Sequence, residues 1–208
     1  MISKTAIANQ ALTRLGDWLI QDIDDSQSVP SVRIKTIFDQ SVRELGRMYP
    51  FRCLQARQQL TVNAAAPDFG YNYSYNLPDN WLRMITLNDI DAWDNDDWYE
   101  IEGRTLLTDH DEAKIVYTQY VDDSTKYDPL FVAALVVYLA AKLAKPIAGD
   151  EDQGRLLMAE FKQMAFPNAA VVDGDDDSRR PRKPTDRSEW IQGRRYNKFG
   201  WMKSQYPW

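Results

Sequence analysis

The chain has 208 residues, 44% of them apolar and 12% aromatic, with a net charge of −6; this suits one core-bearing domain with appendages. An acidic balance repels polyanions, and a lone cysteine, Cys53, excludes an intramolecular disulfide and fits a buried, inert thiol in a reducing compartment. The segment Met1 to Gln10 lacks the apolar run of a secretory signal, and the longest apolar run, Pro129 to Ala144, is broken by Lys142 and reads as too short for a membrane span.

Ser3 to Leu15 reads as a helix, with Ser3 as its cap, Ile7, Ala8, Ala11, Leu12 and Leu15 on one face, and Gly16 at its end. Residues 17 to 29, rich in Asp, read as a loop. A second helix opens at Pro30 and runs to about Tyr49, with the stripe Ile34, Ile37, Phe38, Ser41, Leu45 and Met48. Pro50 stops it, and Phe51 is expected to pack on its end. Short strands follow at Arg57–Val62, Tyr71–Leu77, Leu82–Leu87, a hairpin of Trp98–Ile101 and Thr105–Leu107 around Glu102-Gly103-Arg104, and Lys114–Val121. Pro78-Asp79-Asn80 is turn chemistry. Asp128-Pro129 is a strong helix start, and Leu130 to Lys145 is apolar nearly all round, as expected of the central element, with Pro146 and Gly149 ending it. Glu151 to Phe166 reads as a last amphipathic helix closed by Pro167, and Asp173 to Asp177 as a solvated linker.

Catalytic and metal chemistry is thinly represented. His110 is the only histidine and lies in the acidic turn Thr108–Glu112, which reads as an exposed turn. One Cys and one His do not make a closed zinc site, and the acidic runs Trp93–Trp98 and Asp173–Asp177 lack the ligand spacing of a calcium loop. No glycine pattern for phosphate is present. The expectation is a protein that is not an enzyme and uses no cofactor or metal. Tyr71, Tyr73 and Tyr75 share one strand face, but residues 63 to 82 hold no Lys or Arg, so core packing or a protein contact is expected rather than base stacking.

The last thirty residues reverse the charge. From Arg179 to Trp208 there are nine Lys/Arg against Asp186 and Glu189, a net of +7, which leaves −13 on residues 1 to 178. The segment also holds six aromatics without the periodicity of a core-forming element. Disordered tails are poor in aromatics, so this composition reads as a docking arm with aromatic anchors. Its candidate docking residues are Arg179, Arg180, Arg182, Lys183, Trp190, Arg194, Arg195, Tyr196, Phe199, Trp201, Tyr206 and Trp208.

Several segments, in order, resemble the head-to-tail adaptors of podoviruses, also called tail tubular protein A or head-completion and connector proteins. They are Ala8-Asn9-Gln10-Ala-Leu-Thr-Arg-Leu-Gly16, Tyr49-Pro50-Phe51, Tyr75-Asn-Leu-Pro-Asp-Asn-Trp-Leu-Arg83, Ile101-Glu-Gly-Arg-Thr-Leu-Leu107, and Tyr127-Asp128-Pro129 with the apolar run Phe131 to Ala141. They cover most of residues 6 to 165, and the Leu-Pro…Leu-Arg turn and the Glu-Gly-Arg hairpin are the most specific. The resemblance implies an α+β, mainly α fold. Residues 1–56 and 123–172 form a helical bundle, 57–122 a small inserted antiparallel β region, and 173–208 an acidic linker with an extended C-terminal arm. It implies a virion protein of the neck or tail, assembled in the host bacterial cytoplasm, without a membrane. About a dozen copies would form a ring, a closed symmetric assembly, that binds the portal protein, passes genomic DNA without specific binding, and offers a platform to a downstream tail or nozzle protein. An acidic wall would let the duplex slide. One branch of related adaptors is credited with cell-wall hydrolysis, which needs two well-placed carboxylates. The alternative reading is a nucleic-acid-binding protein that uses the basic arm, recognisable by a steep salt dependence of DNA affinity.

Overall fold

Capping chemistry sets the helix starts in the computed structural model, which describes residues 2–88, 90–91 and 99–178. The Ser3 hydroxyl accepts the Ala6 N–H at 3.1 Å and opens α1 (Lys4–Leu15). Gly16 closes it in the left-handed region, at φ 71°, where a Cβ would be strained. Ser28, two residues before the expected Pro30, caps α2 (Val29–Met48), and Pro30 sits in its first turn. Beyond Pro50, Phe51 is buried with its ring edge-on to those of Tyr49, Phe131 and Phe166, at centroid distances of 4.8, 5.1 and 6.0 Å.

The strands all lie between α2 and the next long helix: β1 (Gln55–Leu60), β2 (Tyr73–Asn76), β3 (Trp81–Leu87), β4 (Ile90–Asp91), β5 (Tyr99–Glu102), β6 (Thr105–Thr108) and β7 (Ala113–Gln119). They form two small antiparallel sheets, β1-β7-β3-β4 and β2-β6-β5, within this inserted stretch. The last strand in sequence lies between β1 and β3, so Gln58 faces Ile115 and Leu87 also faces Ile115 from the other side. Leu60, Tyr75, Met84, Leu106, Ile115 and Tyr117, drawn from both sheets, belong to one apolar cluster. Tyr75 is the buried member of the tyrosine series, and its hydroxyl donates to the His110 carbonyl at 2.8 Å, so that half-buried turn is tied to the sheet.

Asp128 accepts the N–H groups of Leu130 (2.8 Å) and Phe131 (3.4 Å) and opens α3 (Pro129–Leu143). Ten of its fifteen residues are buried, which makes it the central element, flanked by α1, α2 and α4 (Glu151–Glu160). The helix does not end at Pro146. It widens into a π turn over Ala144–Ala148 and stops at Gly149. With that turn it spans 20 residues at a mean hydropathy of 1.9, enough by length and composition to cross a membrane, contrary to the reading of the bare sequence. Its packing is that of a core helix, since 61% of the apolar window is buried.

A second correction concerns the C-terminal side. Pro167 was expected to close the last helix, but the chain continues from α4 through a π turn, Phe161–Ala165, into α5 (Phe166–Ser178). A helical proline clashes with the carbonyl four residues earlier and lacks its own N–H. The widened turn just before Pro167, in which the Phe166 N–H reaches back to the Phe161 carbonyl, displaces the carbonyls the ring would meet and makes room for it. Asp173 to Asp177 are therefore helical rather than a linker, and the Asp173 carboxylate accepts the Arg52 N–H at 3.1 and 3.3 Å. The chain up to Asp173 forms one compact unit.

Candidate functional site

The end of α2 and the start of β3 come close because residue 46 has no side chain. A Cβ on Gly46 would lie 2.8 Å from Leu82 Cδ1 and 3.1 Å from Leu54 Cδ1. The approach brings two arginines side by side. Arg47 Nη1 donates to the Leu82 carbonyl at 2.9 Å, and Arg83 Nη1 donates to the carbonyls of Met48 and Arg47 at 3.1 and 3.4 Å. The last carbonyls of a helix lack intrahelical partners and carry the negative end of its dipole, so a guanidinium suits them.

Trp81, Met84, Tyr99, Ile101 and Gly103 complete an open crevice of about 600 Å³ around these arginines. The Arg47 guanidinium lies 5.9 Å from the Trp81 ring centroid, at the outer range of a cation–π contact. Trp81 Nε1 is buried and has no hydrogen-bond partner among the described residues. Burial and the neighbouring Arg47 charge push the Arg83 guanidinium below its ordinary range, and burial pushes the Tyr99 hydroxyl up, with both arginines opposing that shift. No ion pair among the described residues uses Arg47. The place concentrates positive charge and an unused donor within a body that is strongly acidic.

A different surface lies on the loop between α1 and α2. Trp18 is 91% exposed, and Leu19 and Val29 are 61% and 63% exposed. With Pro146 and Ile147 they line an open cavity of about 520 Å³ whose rim carries Asp17, Asp22 and Asp25. The loop is pinned rather than loose. Asn9 donates to the Ile20 carbonyl and accepts the Ile20 N–H, both at 2.9 Å, and Ile23 is buried with its N–H on Thr5 Oγ1. Trp18 and its neighbours are thus held facing outward, the form an interaction patch takes.

The two segments that carry the resemblance best also meet. Arg104, from the Glu102-Gly103-Arg104 turn, donates through Nη2 to the Pro78 carbonyl at 2.6 Å and to the Asp79 carboxylate at 3.1 Å. The Leu77 N–H returns a bond to the Arg104 carbonyl at 2.9 Å.

The arm residues named from the sequence, Arg179 to Trp208, lie outside the described residues, as does the acidic run Trp93–Trp98. Among the described residues no group of three His, Cys, Asp or Glu could hold a metal ion. Neither the arginine crevice nor the Trp18 patch was found from the sequence. Trp18-Leu19-Ile20 inside an otherwise acidic loop was the available signal for the patch, whereas Arg47 and Arg83 are far apart in sequence and carried none. Comparison with protein-family models gives no match for this chain, and comparison with curated proteins gives none either.

Proposed function

We propose that the chain is a structural virion protein: a ring-forming head-to-tail adaptor that binds the portal, extends the DNA channel and supports further tail proteins. The observation that carries this reading is the contact of Arg104 with Pro78 and Asp79. It joins the two most family-like segments into one structural feature, which favours a shared fold over chance resemblance of short motifs. The pinned Trp18 patch supports the assembly role, because a cluster of exposed apolar side chains held in place is the kind of surface that marks a protein contact. In this reading residues 179–208 form the extended docking arm, with Trp190 and Trp201 as anchors and the basic side chains setting encounter rate and register.

Attachment to purified portal rings at two salt concentrations tests it. The full chain should join the rings as a closed oligomer. Removing residues 179–208 should leave a folded body that does not attach stably. Trp190→Ala and Trp201→Ala should weaken attachment more than Lys183→Ala and Lys203→Ala, because exposed charges are screened and individually contribute little. A full chain that ignores portal rings and instead binds bare DNA with a steep salt dependence would overturn the adaptor reading in favour of a nucleic-acid-binding protein.

A further inference from the structure

We propose that the open cavity beside Trp18 receives residues 190–201 of a second copy of this chain, with an aromatic side chain in the cavity and its cationic neighbours against the acidic rim. The inference rests on the ring and the docking arm proposed above, and it names the surface on which that arm docks.

The cavity is preformed and apolar at its centre. Trp18, Leu19 and Val29 line it while staying mostly exposed, so a docking side chain meets apolar surface that is still in water. Its volume of about 520 Å³ lies within the range of binding pockets. The loop that carries Trp18 is already fixed by the two Asn9 bonds to Ile20 and by buried Ile23. Little ordering cost therefore falls on this side of the contact.

Charge selects the occupant. Asp17, Asp22 and Asp25 line the same cavity against one cation, Arg33. Each of these carboxylates accepts a backbone N–H of its own loop, from Trp18, Asp24 and Gln27 in turn. No ion pair among the described residues uses any of the three. An apolar centre with an anionic rim suits an aromatic segment flanked by cations. Residues 190–201 have that composition: Trp190, Tyr196, Phe199 and Trp201 stand among Arg194, Arg195 and Lys198, with no acidic residue. Trp, Tyr and Arg are the side chains that most often anchor interfaces. The other open cavity carries Arg47 and Arg83, and its field opposes such a segment.

The geometry of α2 favours a second copy as the donor. The compact unit ends at Asp173, whose carboxylate holds the Arg52 N–H just past the C-terminal end of that helix. The cavity is lined by Val29, Pro30 and Ile34 at its N-terminal end. A helix of 20 residues separates the two ends by about 30 Å, at about 1.5 Å per residue. A contact from one end of a copy to the other end of the next is heterologous, and each copy gives one segment and receives one. Contacts of that kind close into rings. Docking of the segment into its own cavity would use both surfaces within one copy and leave neither to join copies.

The test uses full-length chains. A receiving chain carries Trp190→Ala and Trp201→Ala and is labelled for NMR of its indole N–H groups, with the Trp18 signal assigned by its loss in Trp18→Phe. A synthetic peptide of residues 186–204 should shift the Trp18 signal saturably. Trp190→Ser with Trp201→Ser in the peptide should weaken binding about thirtyfold or more, as expected for loss of interface anchors. Asp22→Asn with Asp25→Asn in the receiving chain should weaken it about tenfold at an unchanged thermal midpoint, because Asn can still accept the N–H bonds of the loop. No saturable shift, or equally tight binding of the Ser-substituted peptide or of oligolysine, overturns the proposal. Sedimentation identifies the donor. A chain with Leu19→Arg and an unaltered arm, mixed with the receiving chain, should give 1:1 pairs and nothing larger, while the unaltered chain forms larger oligomers. A mixture that stays monomeric overturns the proposal, and so does an unaltered chain that stays monomeric where the mixture pairs, since its segment then occupies its own cavity. Attachment to portal rings is read separately. A chain that self-associates through this contact but ignores portal rings refutes the adaptor reading alone, and a Leu19→Arg chain that oligomerises and attaches like its parent refutes the docking site alone.

Discussion

Replacing Leu135 by Ala probes whether α3 organises the whole helical part. Leu135 is 0% exposed and lies mid-helix in the element that α1, α2 and α4 all flank. The substitution removes the branched end of the side chain. Its transfer to water accounts for about 2 kcal/mol, at about 0.8 kcal/mol for each buried methylene-sized group. The cavity left behind adds to this, since elements packed on several sides cannot all close into one hole. The expected loss is therefore about 3–5 kcal/mol, in the upper part of the range for buried Leu→Ala changes and a large share of a domain's usual stability. Urea unfolding followed by circular dichroism should show a lower midpoint with an unchanged slope. Leu130→Ala is the control, because Leu130 sits at the first turn of the same helix and is 38% exposed; its loss should stay below about 1 kcal/mol. A loss under about 1 kcal/mol at Leu135, or equal losses at the two positions, would refute the reasoning.

Two further expectations concern titratable groups. Glu44 on α2 accepts hydrogen bonds from Tyr138 and Lys142 on α3, and from Gln40. Burial pushes its carboxyl up, but the bonds from Lys142, Tyr138 and Gln40 prevail and hold it below its ordinary value of 4.5. A depressed carboxyl adds stability above its unfolded pKa and loses it as pH falls through the folded one. Glu44→Gln should thus cost about 1 kcal/mol at pH 7, after allowance for partial exposure. The gap from the parent should shrink as pH drops below 4.5. Urea midpoints of both proteins at neutral and acid pH decide it, and a gap that does not change with pH contradicts it. Cys53 is pushed up to about 11, chiefly by burial. Its thiolate fraction at pH 8 should be roughly a hundredfold lower than that of an exposed thiol. A disulfide reagent at that pH should therefore react slowly with the folded protein and quickly in urea, and equal rates would show the thiol to be accessible.

Much of the local structure was legible before any coordinates. Ser3, Ser28 and Asp128 act within three residues of themselves, so the helix starts follow from neighbouring side chains alone, even where the cap proved to be Ser28 ahead of Pro30. The uniform apolarity of Leu130 to Lys145 marked the most buried helix, and alternation marked most of the strands, because those periods are properties of a single segment. The prolines misled for the opposite reason. Pro146 and Pro167 carry the intrinsic chemistry of a stop, but packing along α3 and α4 repays the widened turn that carries the helix through.

What only the tertiary structure decided is which distant segments meet. The insertion of β7 between β1 and β3 and the division into two sheets depend on pairings across long stretches of chain, to which strand periodicity is blind. The arginine crevice is of the same kind: Arg47 and Arg83 become neighbours because Gly46 lets β3 lie against α2. Composition alone assigned acidity to the body and a basic, aromatic character to residues 179–208. It could not concentrate two positive charges beside an unpaired indole, because that concentration exists only where non-local packing brings separate elements to one point.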